Sequence, residues 1–168
     1  MKKIIICFFS LACLLLGCIK DDVGVSTAII EAGDHIPAFS VVMDDGTTLN
    51  SSDLQKGIAC IMFFDTSCQD CRDALAQMQQ VYNSQSVNGV KFALISREES
   101  AESILLHWQE NGYTMPYSAQ NSREIYSLFA KSVIPRIYIC KDGIVTATFS
   151  DTPAPTATGI NSAIDALK

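Results

Sequence analysis

Residues 58–71 constrain the fold more than any other stretch. Ile58-Ala59-Cys60-Ile61-Met62-Phe63-Phe64 is an unbroken apolar run of strand length. Such a run reads as a strand buried on both faces, which requires a sheet covered on each side. Cys68-Gln69-Asp70-Cys71 follows directly, and from there Leu75, Met78, Val81 and Tyr82 recur at helical spacing. The chain therefore passes from a central strand into a helix with two cysteines at the junction. An α/β fold follows.

The rest of the pattern agrees. Ile36–Met43 alternates like a first strand, Asp44-Asp45-Gly46 is a hairpin turn signal, and Thr47-Thr48-Leu49 returns. Ser51–Leu54 reads as a short capped turn. Val90–Ser96 predicts another core strand. Residues 100–111 predict a helix with Ile104, Leu105 and Trp108 inward, ended by Asn111-Gly112. Ser122 is placed to cap a helix over 123–131. Ile134–Cys140 predicts a strand opening at a proline, Lys141-Asp142-Gly143 turns the chain into a strand over 144–149, and 157–167 predicts a last helix. The 168 residues suffice for one domain, with neither a repeat nor a second core. At a formal net charge of −6, nucleic acid is an unfavourable partner.

The N-terminus reads as an address. Lys2-Lys3 precedes an apolar run from Ile4 to Leu16, and Leu15-Leu16-Gly17-Cys18 closes it. That is a secretory signal, and its end resembles the bacterial lipobox, in which the cysteine is acylated and becomes the mature N-terminus. Several acyl chains anchor a protein stably to a membrane. The alternative is an ordinary signal peptide or an N-terminal membrane helix. On this reading residues 1–17 are a signal peptide, Cys18 is the lipidation site, 18–33 are a tether and 34–168 are the domain. Ile19 after Cys18 lacks the usual inner-membrane retention signal, so an outer-membrane anchor is expected, facing the periplasm or the cell surface. Lys20-Asp21-Asp22 resembles surface-export signals but equally suits a solvated tether.

Seven cysteines are present, and four, Cys60, Cys68, Cys71 and Cys140, lie beyond the signal and tether. A CxxC pair after a buried strand and at a helix start points to thiol exchange. A helix N-terminus offers unpaired N–H groups and the positive dipole end, which favours a thiolate at Cys68. Cys71, one turn further in, is shielded. The expected sequence is attack by Cys68 on a substrate disulfide and resolution of the mixed disulfide by Cys71. A zinc half-site lacks two further ligands, since Cys60 and Cys140 lie within strands and His35 and His107 have no useful spacing, so neither metal nor cofactor is expected. An inert bridge closing so short a loop would remove little chain entropy. Cys60 and Cys140 each lie inside an apolar strand. Two buried free thiols or a cross-strand bridge are both open.

Residues 34–149 resemble the TlpA-like thiol–disulfide oxidoreductases, exported thioredoxin-fold proteins. The pieces that match are Gly33-Asp34-His35-Ile36-Pro37-Ala38-Phe39, the strand–CxxC–helix unit and Val133-Ile134-Pro135. The resemblance implies a thioredoxin-like fold, a central mixed β-sheet flanked by helices with an N-terminal β-hairpin extension. It also implies a cis Pro135 facing the CxxC and leaving the neighbouring backbone free to pair with substrate. Protein disulfides or thiols, and a redox partner that the sequence does not identify, would be the partners, with the dithiol acting as reductant.

Departures from that family concern proton handling. Its usual acids correspond to Met62 and Ala74, its helix-kinking proline to Ala76, and the tryptophan before its first cysteine to Ser67. Asp73, two positions past Cys71 and so about 200° around the helix, faces away. Asp70 opposes a thiolate at Cys68. Asp65 is the nearest remaining acid, though a solvated loop acid is the simpler role for it. Arg72 could hold the Cys68 thiolate or be an exposed helix arginine, and His107 and Trp108 read as packing. Two rival functions share the fold. A thiol peroxidase would want threonine where Asp65 stands, and Thr66 is one position off. A non-enzymatic binding module would need no reactive thiol.

Overall fold

The computed structural model describes residues 28–168, so the signal peptide, Cys18 and most of the tether lie outside the described residues. At its centre is β3 (Ile58–Phe64), buried at all seven positions. It pairs in parallel with β4 (Lys91–Ser96) and antiparallel with β6 (Arg136–Lys141). β5 (Tyr117–Ser118) joins β4 in parallel and β7 (Ile144–Phe149) joins β6 antiparallel, giving the order β5-β4-β3-β6-β7. A strand flanked on both sides and covered on both faces has no exposed position, hence its unbroken apolar sequence.

The hairpin β1 (Ser40–Val42) and β2 (Thr48–Asn50) precedes this sheet as a separate two-stranded unit. Its turn is closed by Asp45 Oδ1, which accepts from Thr47 N at 2.8 Å and from Thr47 Oγ1 at 2.6 Å, with Gly46 at φ +81°. Residues 28–36, partly read as tether, are tied to the domain. Ile29 and Ile30 N–H donate to the Phe129 carbonyl, and Gly33 and Asp34 exchange hydrogen bonds with Val145.

On one face lie α1 (Gln69–Gln85), α2 (Ala101–Asn111) and α4 (Ala157–Asp165). Cys60 meets Met78 of α1 there, and Phe64 meets Trp108 of α2. The other face carries the hairpin, the N-terminal segment and α3, a single turn over Glu124–Ser127. Phe63 packs there against Tyr126, Phe129 and Tyr138, and Phe39 against Phe129.

Two expectations are corrected, and one open alternative is decided. The helix predicted over 123–131 ends after one turn, and Arg123 rather than Ser122 is its N-cap. The N-terminal segment claims what would be its continuation: Ala130 forms an antiparallel bridge with Ala28, and the neighbouring Phe129 carbonyl accepts from Ile29 N, Ile30 N and the Tyr138 hydroxyl. Leu105 is 47% exposed, because α2 covers only the sheet margin and buries just Ile104 and Trp108. The Cys60–Cys140 bridge is excluded by register. Ala59 stands opposite Cys140 and Cys60 opposite Ile139, so the two thiols point to opposite faces, and both are free. Burial pushes the Cys140 thiol up to about 12 and the Cys60 thiol higher still.

Candidate active site

The loop from β3 to α1 holds the two cysteines. Cys68 is the N-cap of α1, with extended backbone at φ −84°, and its carbonyl accepts from Arg72 N at 3.1 Å. Its side chain is half-buried, so the sulfur stands at the helix start, open to a partner. Cys71 is fully buried beneath it. Burial drives the Cys71 thiol far above its ordinary range, and the nearby Cys68 and Asp65 act in the same direction, against a backbone hydrogen bond from Asp65. Both thiols are free. Half-exposed outer thiol over protonated inner thiol is an arrangement able to accept one disulfide and release another.

Pro135 is brought to the same spot. The Ile134–Pro135 peptide is cis, and the Cys68 Sγ lies 3.9 Å from the Ile134 carbonyl oxygen. Val133, just before, has φ +71°, a left-handed conformation unfavourable for a β-branched residue. The Tyr126 hydroxyl holds it there, donating to the Val133 carbonyl at 3.0 Å. Burial raises the Tyr126 phenol, and Arg136, Arg97 and Arg123 pull it back.

The loop between strand and cysteine is clamped by side chains that the sequence reading did not single out. Arg97 N donates to the Phe64 carbonyl at 2.7 Å, and its guanidinium stands 3.6 Å from the Asp65 carboxylate. Glu99 accepts from Thr66 N at 2.9 Å and also from the Thr66 hydroxyl and Ser103 Oγ. Arg72 donates to the Thr66 carbonyl at 2.8 Å, so it braces this loop and is more than an exposed helix residue. A signal was present: Arg97-Glu98-Glu99 follows β4, which runs parallel to β3, so its charges emerge at the same sheet end as the cysteines.

Asp65 is neither a free base nor a solvated loop acid. Its Oδ1 accepts from Ser67 N at 2.9 Å and Ser67 Oγ at 2.6 Å, while its other oxygen faces Arg97. Asp70 and Asp73 are exposed on α1, and Asp73 accepts from Gln69. Ala74 is 1% exposed and borders a cavity of about 240 Å³ that Asp70, Asp73, Gln77 and Thr156 also line. His35, His107, Cys60 and Cys140 are not part of the site. Among the described residues no cluster of three metal-ligating side chains occurs.

The fold matches that of known proteins. A candidate protein disulfide isomerase from Bacteroides thetaiotaomicron superposes with a TM-score of 0.73 at 20% identity, over 83% of this chain and 93% of that one. A thiol:disulfide interchange protein of the thioredoxin family from Chlorobium tepidum gives 0.69 at 20% identity, over 80% and 96%. A DsbF homologue from Corynebacterium diphtheriae gives 0.70 at 17% identity, over 87% and 96%. At these identities the likeness establishes the thioredoxin-like fold. No curated protein matches the chain. The AhpC/TSA family model matches residues 32–148, which run from the N-terminal segment through the CxxC loop and the cis-proline to β7, and the chain belongs to the AhpC/TSA family.

Proposed function

We propose that the protein is a thiol–disulfide oxidoreductase that reduces disulfides of protein substrates through Cys68 and Cys71. The Cys68 thiolate attacks one substrate sulfur, forming a Cys68–substrate disulfide and expelling the other substrate sulfur as thiolate. Cys71, after losing its proton, attacks the Cys68 sulfur. The second substrate thiol leaves, and the Cys68–Cys71 disulfide carries the two oxidising equivalents. An external dithiol reductant then restores the starting form. The observation that carries this reading is the pairing of a half-exposed Cys68 at the start of α1 with a buried Cys71, the Cys68 sulfur lying against the cis Ile134–Pro135 backbone.

The same backbone offers an extended substrate segment a partner for strand-like pairing beside the sulfur. A thiol peroxidase is the competing reading within the AhpC/TSA family. It is less well supported, because the hydroxyls of Thr66 and Ser67, which precede Cys68, are already donated to Glu99 and Asp65. The protein is further proposed to be lipidated at Cys18 and anchored in the outer membrane.

Cys71→Ser should trap mixed disulfides with substrate proteins, visible on non-reducing gels, and Cys68→Ser should trap far fewer. Equal trapping by both variants would refute the division of roles, and rapid consumption of hydrogen peroxide by the wild type would favour the peroxidase. Cys18→Ser should release the protein from membranes. Retention after a high-salt wash would refute the anchor.

A further inference from the structure

A groove of about 950 Å³ runs along the β5 margin of the sheet, away from the two cysteines. One wall is a stripe of α2 that includes Glu102, Leu105 and Trp108 and ends at Gly112. The other is the end of β1 and its turn, Val42 to Asp44, and Tyr117 lies between them. From Ala101 to Gly112 the helix rises about 16 Å at 1.5 Å per residue. That length accommodates about five residues of extended chain at 3.3 Å each. Leu105 and Val42, one on each wall, leave 47% and 60% of their surfaces exposed.

The groove also has a charge sign. Asp44 and Glu102 line it, and none of its lining residues is lysine, arginine or histidine. This argues against two self-generated occupants. The chain's own segment 19–27 carries one lysine against two aspartates, and a second copy brings a formal net charge of −6. The upper end of the groove, at Ala101 and Asn121, adjoins the backbone bridge between Glu99 and Gln120. Glu99 in turn grips Thr66, two residues before Cys68. A chain lying in the groove therefore leads towards the reactive loop.

We infer that this groove is a second contact site for the protein substrate, taking an extended segment of about five residues in which leucine-like and lysine- or arginine-like side chains alternate. Apolar side chains cover Leu105, Val42 and the edge of Trp108, and the basic ones reach Asp44 and Glu102. The inference rests on the protein-disulfide reading above for what the segment belongs to. The binding itself does not depend on the thiols.

Trp108, the one tryptophan of the chain, reports occupancy directly. The probe is a capped five-residue peptide of alternating lysine and leucine, with glutamate–leucine and residue 19–27 peptides as comparisons. The lysine peptide should shift Trp108 fluorescence saturably in the wild type and equally in a Cys68→Ser/Cys71→Ser protein. Asp44→Asn with Glu102→Gln keeps the acceptor for Tyr117 N and removes both charges. It should weaken binding about tenfold, two exposed charge contacts combined. With the lysine–leucine segment fused beside a cystine, the same variant should raise KM about tenfold at unchanged kcat and leave turnover of a small symmetrical disulfide unaltered. Equal binding of the glutamate peptide, tighter binding of the 19–27 peptide, or no fluorescence change would overturn the inference. If the peptide binds and the cystine substrate is not reduced, the oxidoreductase reading fails while the groove assignment stands.

Discussion

Glu99 is predicted to be the residue on which the order of the reactive loop depends, although it touches neither cysteine. Thr66 is buried, and both its N–H and its hydroxyl donate to the Glu99 carboxylate. A hydrogen bond to a charged acceptor contributes about 1.5–3 kcal/mol, and a buried donor left unpaired costs about 1–3 kcal/mol. Glu99→Ala strands two such donors, so a loss of about 3–4 kcal/mol is expected, equivalent to a fall in Tm of about 10 °C for a domain of this size. Glu99→Gln keeps one carbonyl acceptor and should lose about half as much. Ser103→Ala removes only the exposed third donor, which water replaces, and should cost about 0.5 kcal/mol or less. The assay is urea unfolding of the three variants, with Thr66→Ala added to close a double-mutant cycle. Disulfide reduction should slow in Glu99→Ala and recover most of its rate in Glu99→Gln, since loop geometry and not charge is at stake. A Glu99→Ala loss below about 1 kcal/mol, or equal to that of Ser103→Ala, would refute the clamp.

Other outcomes follow from the buried thiols and the small cavity. Cys60, Cys71 and Cys140 all have raised pKa values, so the native state keeps protons that the unfolded chain releases above about pH 8.5. Stability is therefore intact below that pH and falls above it, approaching about 4 kcal/mol per pH unit for three thiols. Cys60→Ala with Cys140→Ala should cut the slope to about a third in pH-dependent urea unfolding, and an unchanged slope would show that other groups titrate. Wild-type disulfide reduction should climb with pH through the neutral range, because the inner thiol must ionise and the Asp65 carboxylate is held by Arg97 and Ser67. Ala74→Glu places a carboxylate at the cavity beside Asp70 and Asp73, whose charges raise its proton affinity. It should speed turnover at pH 7 about tenfold or more and flatten the pH–rate profile. A wild type already at its plateau at pH 7 would mean that another group takes the proton.

The central strand and the helix start at the CxxC were legible in the sequence because each depends on neighbours along the chain, whereas the pairing of β3 with β6 was implied only by the family resemblance. A fully apolar heptamer followed at once by a helical pattern fits a covered strand, and a helix N-terminus acts on the residue that caps it. The end of α2 followed in the same way from Gly112, which releases the helix in a left-handed conformation. What tertiary structure alone decided depends on residues distant in sequence. α3 stops after one turn because Ala130 is drawn into an antiparallel bridge with Ala28, far from it in sequence. β5 has two residues, too few for any periodicity, and exists because β4 offers it an edge. Cys60 and Cys140 are kept apart by a one-residue offset in register, which only the pairing of two strands distant in sequence sets. Asp65, Thr66 and Arg72 acquire their roles from Arg97, Glu99 and the loop itself, because parallel strands bring the ends of β3 and β4 together. A loop residue's partners are set by where its strand ends, and that is a property of the sheet.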